Sequence, residues 1–271
     1  MLCCDPFAVE PGHFLLVTAD EQTAGRGQRG THWESTRGEN LTFNIGWRPA
    51  ADRRWPAANE QFLISEITAL AVLHAIEDTL SAHTGPSLIE GRWEVAIKWP
   101  NDIYIIKAED TLSEATSSLP IGEGGGRGLK ICGMLLEHSL AGRRIEASIA
   151  GIGINVNQAS FATLEGRKEG RGAPISLRQI LGREVSREAV LESFVRHFME
   201  GVSLLQEGRY DEVESTFTTR LYRRTGLHRY RDAEGEFLGE FVRIARNGIL
   251  TLRKADGTLH DYAFKEVAYV I

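Results

Sequence analysis

A chain of 271 residues with 42% hydrophobic and 25% charged side chains has the composition of an ordinary globular protein, which excludes wholesale disorder; it fits one large domain, or a large one with a small companion. The formal net charge of −6 argues against nucleic acid as the main partner, because that role usually needs a broad basic face. Cys3, Cys4 and Cys132 make neither a disulfide framework nor a paired C-x-x-C, and no stretch approaches the roughly 20 apolar residues of a membrane helix, so the expectation is a soluble cytoplasmic protein with reduced thiols.

In chain order, residues 1–11 carry Pro6 and Pro11 and are expected to be poorly structured ahead of a first strand at 13–18. Residues 23–33 then read T-A-G-R-G-Q-R-G-T-H-W, a glycine-punctuated run with Arg26 and Arg29. Glycines let the backbone approach a ligand and aim several N–H groups at it, while arginines supply charge for a carboxylate or phosphate; an ordinary surface turn is the alternative. Residues 41–47, L-T-F-N-I-G-W, alternate like a half-buried strand. The strongest helical periodicity runs from Asn59 to about Ala82 and stops before Gly85-Pro86, with His74 expected as a core histidine on its apolar face.

Strands are expected at 94–98, 103–106, 130–137 and 144–154, the last two joined by a turn at Ala141-Gly142. The stretch between Lys107 and Leu129 is rich in Ser, Thr, Glu and Gly, and such a composition does not repay its ordering entropy, so a mobile excursion between adjacent strands is expected. A second polar stretch, 165–172, precedes helices at about 176–181, 187–206 and 210–222, with Ser186 as a natural N-cap. Short strands then recur at 226–230, 235–245, 249–253, 259–264 and 266–270, with Asn247-Gly248 and Asp256-Gly257 as hairpin signals, which predicts a small β-barrel module.

Three further constellations carry chemistry. Lys98 to Asp102, K-W-P-N-D, sets a cation, an amide and a carboxylate around a proline-fixed corner; Asp102 would hold a metal ion for a polyphosphate that Lys98 helps to neutralise, or the corner is merely polar structure. Lys130 opens the apolar run K-I-C-G-M-L-L-E, as a snorkelling surface residue or as a cation kept for a carboxylate. Gly151 to Asn155, G-I-G-I-N, lacks the third glycine and following helix of a dinucleotide fingerprint and suits close backbone approach to a ligand. With no serine or cysteine nucleophile in an elbow and no acid pair of glycosidase type, the set does electrostatics and positioning, as nucleotidyl transfer requires.

Taken in order, E-Q-T-A-G-R-G-Q-R-G-x-x-W, K-W-P-N-D, K-I-x-G-x-L-L-E and G-I-G-I-N resemble the biotin protein ligases over nearly the whole chain from about Thr18. The resemblance implies an α/β (α+β) fold: a mixed sheet flanked by helices, as in class II aminoacyl-tRNA synthetases, followed by a small SH3-like barrel, with the catalytic domain at 1–222 and the barrel at 223–271. It implies ATP, Mg2+ and biotin, formation of biotinoyl-AMP with release of pyrophosphate, and transfer of biotin to a lysine of a biotin carboxyl carrier protein. By position, Gln22, Thr23, Gly25, Arg26, Lys130, Gly133 and Gly153 would line the biotin site, Gly27, Arg29, Trp33, Lys98, Asn101 and Asn155 the adenylate site, and Lys130, Arg26 and Asp102 would act in catalysis, with Asp102 near Mg2+.

The same resemblance implies a homodimer, while the net charge of −6 and the lack of a long apolar stretch lead to the expectation of no contact with nucleic acid or membrane. The chain departs from the family at three places. No Ser/Thr-Thr-Asn segment precedes the glycine run, so the expectation is a missing natural N-terminus; Gln28 stands where relatives often carry arginine; and no winged-helix region is present, so repression is not expected. Lipoate attachment and non-catalytic biotin or nucleotide binding are the alternatives.

Overall fold

Turn chemistry and alternating side chains divide the strands between two sheets, seen in a computed structural model that describes residues 5–22, 35–84, 93–107, 128–161 and 172–270. The larger sheet contains β1 (Phe14–Ala19), β2 (Leu41–Trp47), β3 (Trp93–Lys98), β4 (Asp102–Lys107), β5 (Leu129–Ala141) and β6 (Arg144–Ile154), in the order β1-β2-β6-β5-β4-β3. Among the described residues every ladder in it is antiparallel, and parallel pairing is limited to isolated bridges, Ile97 with Leu221 and Lys130 with Pro174. The helix-flanked fold is as expected, with the sheet antiparallel in its ladders.

Helix α1 (Phe62–Thr84) lies against this sheet, and α3 (Arg187–Glu207) and α4 (Tyr210–Thr219) pack on it, with the short α2 (Leu177–Leu181) nearby. Apolar residues occur nearly all round α1, from Leu63 and Ile64 to Val72 and Ile76, and a helix of that kind is buried on most sides. Gly201 allows α3 to come close, since a Cβ there would stand 2.8 Å from that of Ile67. Ser176 caps α2 and Ser186 caps α3 through their hydroxyls, and Gly182 and Gly208 close the two helices in the left-handed region.

The smaller sheet takes β7 (His228–Arg231), β8 (Glu236–Ile244), β9 (Leu250–Lys254), β10 (Leu259–Tyr262) and β11 (Ala268–Tyr269), in the order β10-β9-β8-β7-β11. Its core is aromatic: Tyr230 packs between Phe237 and Tyr269, and Phe237 stacks on Tyr262.

Three expectations need correction. Leu41–Trp47 is buried along its whole length: β1 and β6 flank it, Phe43 and Trp47 meet Phe194 and Phe198 of α3, and Thr42 and Asn44 on the opposite face are buried as well. His74 is no core histidine: it is 35% exposed, bonds Glu77 through Nδ1 and lies 5.1 Å from the ring of His197. Lys107 and Leu129 belong to β4 and β5, so the excursion between them is shorter at both ends, and residues 108–127 lie outside the described residues.

α1 buries one carboxyl, that of Glu66, which is pushed up to about 8 by burial, with Glu214 adding to the rise and Arg246 opposing it. A carboxyl raised from 4.5 to about 8 keeps its proton in the folded chain and loses it in the unfolded one across that window, so its contribution is fully present below pH 4.5 and is lost as pH rises to about 8. Glu66→Gln is therefore expected to stabilise the protein by roughly 3 kcal/mol at pH 8 and to change little at pH 4. Urea unfolding of both proteins over that range checks it, and a difference that does not grow with pH contradicts it.

Candidate functional site

Hydrogen-bond register lays one row of residues across the entire larger sheet: Ala19 faces Thr42, Thr42 faces Gly153, Gly153 faces Gly133, Gly133 faces Asp102, and Asp102 faces Lys98. Residues paired in this way project on one face. Phe43, Ile45 and Trp47 turn to the helices, so the row and its neighbours Asn44 and Gly151 occupy the other face. The centre of that face is glycine on both β5 and β6. It forms a floor to which neither strand contributes a side chain, between Thr42 and Asn44 on one side and Asp102 and Lys98 on the other; Thr42, Asn44 and Gly153 are buried and Gly133 and Gly151 half-buried.

Lys130 would miss this face in a regular strand, being three residues from Gly133. A register shift between Ile103 and Tyr104 pairs Cys132 with Ile103 and Lys130 with Tyr104, leaving Ile131 extra on β5. Such a bulge re-aims side chains. It brings the Lys130 ammonium to 2.7 Å from Asp102 Oδ1, with both side chains about a quarter exposed. The lysine's backbone is fixed from outside the sheet, its N–H donating to the Ala173 carbonyl at 2.7 Å and its carbonyl accepting from Ile175 at 3.0 Å. Cys132 turns the other way into the core, where burial pushes its thiol up and leaves it inert.

The K-W-P-N-D corner divides its labour. Lys98 is 9% exposed, its ammonium 5.2 Å from the centre of the Tyr104 ring and 5.0 Å from that of Tyr269. Trp99, joined to Pro100 by a cis peptide, turns to the smaller sheet, donating to the Gly248 carbonyl at 3.2 Å and meeting Phe264 edge-on. The side-chain amide of Asn101 donates to the Met134 carbonyl, and the Met134 N–H donates back to the Asn101 carbonyl at 3.1 Å, so Asn101 ties the corner to β5. Asn155 follows β6 and is 2% exposed, its Nδ2 donating to the carbonyls of Ile175 at 3.1 Å and Lys130 at 3.4 Å while its Oδ1 is buried without a partner among the described residues.

Of the residues singled out from sequence, Lys98, Asp102, Lys130, Gly133 and Gly153 come together on the one face, and Asn155 binds the backbone behind Lys130. Gln22 follows the end of β1 and is half-buried. Thr23, Gly25, Arg26, Gly27, Gln28, Arg29 and Trp33 lie outside the described residues. Sequence reasoning missed Thr42, Asn44, Tyr104 and Tyr269, whose places depend on register and on how the two sheets meet. Among the described residues no group of three His, Cys, Asp or Glu side chains can hold a metal ion. Asp102 alone fits the habit of Mg2+, which takes one or two carboxylates together with substrate phosphates. No described helix is long and apolar enough to cross a membrane.

The chain is similar to known ligases in sequence and fold. The bifunctional ligase/repressor BirA of Bacillus subtilis is 26% identical over 249 residues, which cover 92% of this chain and 64% of that protein. The chain thus spans less than two thirds of that relative, and the same holds for BirA of Bacillus spizizenii, also covered to 64%. A biotin–[acetyl-CoA-carboxylase] ligase of Paracoccus denitrificans is 28% identical, with 89% of this chain aligned to 85% of it. In fold, the biotin protein ligase of Aquifex aeolicus, solved with biotin and ATP, superposes with a TM-score of 0.64 at 22% identity, covering 96% of this chain and 89% of that one. Residues 10–155, which contain the whole of the larger sheet and the glycine floor, match the family model for biotin/lipoate A/B protein ligases; spanning more than half of the chain, the match makes this protein a member of that family.

Proposed function

We propose that the chain is an ATP-dependent biotin protein ligase that forms biotinoyl-5′-AMP and passes the biotinoyl group to a lysine of a biotin carboxyl carrier domain. The observation that carries the reading is the bulge-directed Lys130–Asp102 pair beside a floor of facing glycines. Both Paracoccus and Bacillus relatives are ligases by name, and the Aquifex neighbour binds biotin and ATP.

In the first step a carboxylate oxygen of biotin attacks the α-phosphorus of ATP, the new O–P bond forms and the bond to the β-phosphate oxygen breaks, releasing pyrophosphate. Two anions must meet, so the barrier is largely electrostatic. The Lys130 ammonium, held by Asp102, would sit between the carboxylate and the α-phosphate and stabilise the charge that builds there. Lys98, across the row, would neutralise the departing phosphates. A bound Mg2+ ion would add charge neutralisation at the phosphates, with Asp102 as its protein ligand. Gly133 and Gly153 would admit the ligand to backbone contact, and Gln22, Thr23, Gly25 and Arg26 would close over biotin, with Gly27, Arg29, Trp33, Asn101 and Asn155 toward the adenylate. In the second step the neutral carrier amine attacks the acyl carbon, an amide forms, the amine's surplus proton passes to solvent and AMP leaves with the electron pair of the broken C–O bond. In this reading residues 1–222 form the catalytic unit and 223–271 the barrel, and the enzyme acts in the cytoplasm.

ATP–pyrophosphate exchange with biotin or lipoate as the acid tests the assignment. Exchange is expected with biotin and is expected to be weak with lipoate. Exchange supported by lipoate alone reassigns the chain to the other branch of its family, and none with either acid removes the adenylating activity.

A further inference from the structure

Lys98 is a buried cation, and an ammonium out of water must find compensation or give up its charge. Part of that compensation comes from two ring faces. Tyr104 belongs to the larger sheet and is itself pinned, because Gly128 and Gly172 pack on its ring so closely that a Cβ would stand 2.4 Å and 3.0 Å from ring atoms, and its hydroxyl accepts from the Gly172 N–H at 3.0 Å. Tyr269 belongs to the smaller sheet, pairs with Tyr230 through β11 and β7, and is wedged by the rings of Tyr222 at 6.1 Å and Tyr230 at 5.0 Å. A long lysine side chain loses rotamer freedom when it is held, so a face that already holds one in place has an effect on binding even without touching the ligand.

We propose that Tyr269 is a positioning residue for the nucleotide: its ring face fixes the Lys98 ammonium at the edge of the glycine floor, so that the smaller sheet completes the phosphate subsite of the larger one. The inference rests on the ligase reading for the identity of the anion. It follows from the two ring-to-ammonium distances, 5.2 Å and 5.0 Å, and from the register that sets Lys98 opposite Asp102. Trp99 and its contact with Gly248 and Phe264 keep the same corner against the smaller sheet.

The test replaces Tyr269 in the full chain with phenylalanine and then with phenylalanines of increasing fluorination, which keep the ring's shape while draining its negative face. Calorimetry with Mg2+ and ATP, and separately with biotin, reads the two affinities. Tyr269→Phe is expected to bind ATP within about twofold of the parent, and the fully fluorinated ring to weaken ATP by roughly 5- to 30-fold, with biotin affinity held within about twofold. A flat ATP affinity across the series, parallel weakening of ATP and biotin, or a parent chain that does not bind ATP overturns the proposal. A graded loss of ATP affinity in a chain that does not bind biotin upholds Tyr269 and removes the biotin reading instead.

Discussion

Lys130→Met is expected to lower the rate of biotin-dependent ATP–pyrophosphate exchange by about 10²- to 10³-fold, the usual cost of removing a donor aimed at developing charge. The side chain keeps most of its length and apolar stem, so the loss is that of the ammonium. Its position comes from the bulge at Ile103/Tyr104 and from backbone bonds to Ala173 and Ile175, none of which involves the side chain, so the variant should fold. Asp102 loses its 2.7 Å partner but is 22% exposed and stays hydrated, which limits the cost in stability. Because Asp102 is assigned to hold this lysine, Asp102→Asn and Lys130→Met are expected to combine less than additively. Stopped-time exchange assays on the single and double variants check both statements; a loss below tenfold for Lys130→Met, or strict additivity, contradicts the role given to the pair.

Arg246→Ala is expected to destabilise the protein by about 2 kcal/mol, between the values for surface and fully buried ion pairs. Arg246 precedes the Asn247-Gly248 turn of the smaller sheet and reaches into acidic side chains of the helices: Nε and Nη2 donate to the two carboxylate oxygens of Glu214 at 3.0 and 2.9 Å, Nη1 to Glu60 at 3.2 Å, and Nη2 also to Asp211 at 2.6 Å. These bonds, Glu214 first, push its own proton affinity further up. The Arg246 carbonyl accepts from the Phe62 N–H at 3.0 Å, so the same residue joins the start of α1. The side chain is 34% exposed, and screening accounts for the discount from the buried value. Its removal also takes from the Glu214 carboxylate the guanidinium that donates to both its oxygens. Hydrogen exchange should speed up first in 228–269, ahead of the larger sheet. Asp211→Asn, at a 95% exposed position, should move stability by less than about 0.5 kcal/mol. Urea unfolding and exchange mass spectrometry decide, and an even loss of protection across both sheets contradicts the docking role.

Element order was readable because it depends on short-range pattern. Residues 41–47 matched β2, Ser186 capped α3, and Asn247-Gly248 lay between β8 and β9. Burial was less readable: L-T-F-N-I-G-W alternates, but alternation says nothing of what covers the second face, and here Thr42 and Asn44 are buried as well. The site divides in the same manner. Gly133, Gly153, Asp102 and Lys130 were visible as residue types, whereas their union needs a register across three strands and a one-residue bulge. A regular K-I-C-G strand would send Lys130 into the core. Tyr269 was invisible for a related reason, since it reaches Lys98 from a strand more than 100 residues away in sequence, where local pattern holds no information. The glycine-arginine run gave the first signal of an anion site, and its residues 23–33 lie outside the described ones.

The central claim is transfer of biotin to protein. Incubation of the full chain with biotin, ATP, Mg2+ and an isolated biotin carboxyl carrier domain, followed by intact mass measurement of the carrier, tests it most directly. The expected result is addition of one biotinoyl group to the carrier, dependent on ATP and abolished when the acceptor lysine is replaced by arginine. A carrier that stays unmodified while the chain forms and releases biotinoyl-AMP contradicts the transfer step, and an unmodified carrier with no adenylate formed contradicts the account as a whole.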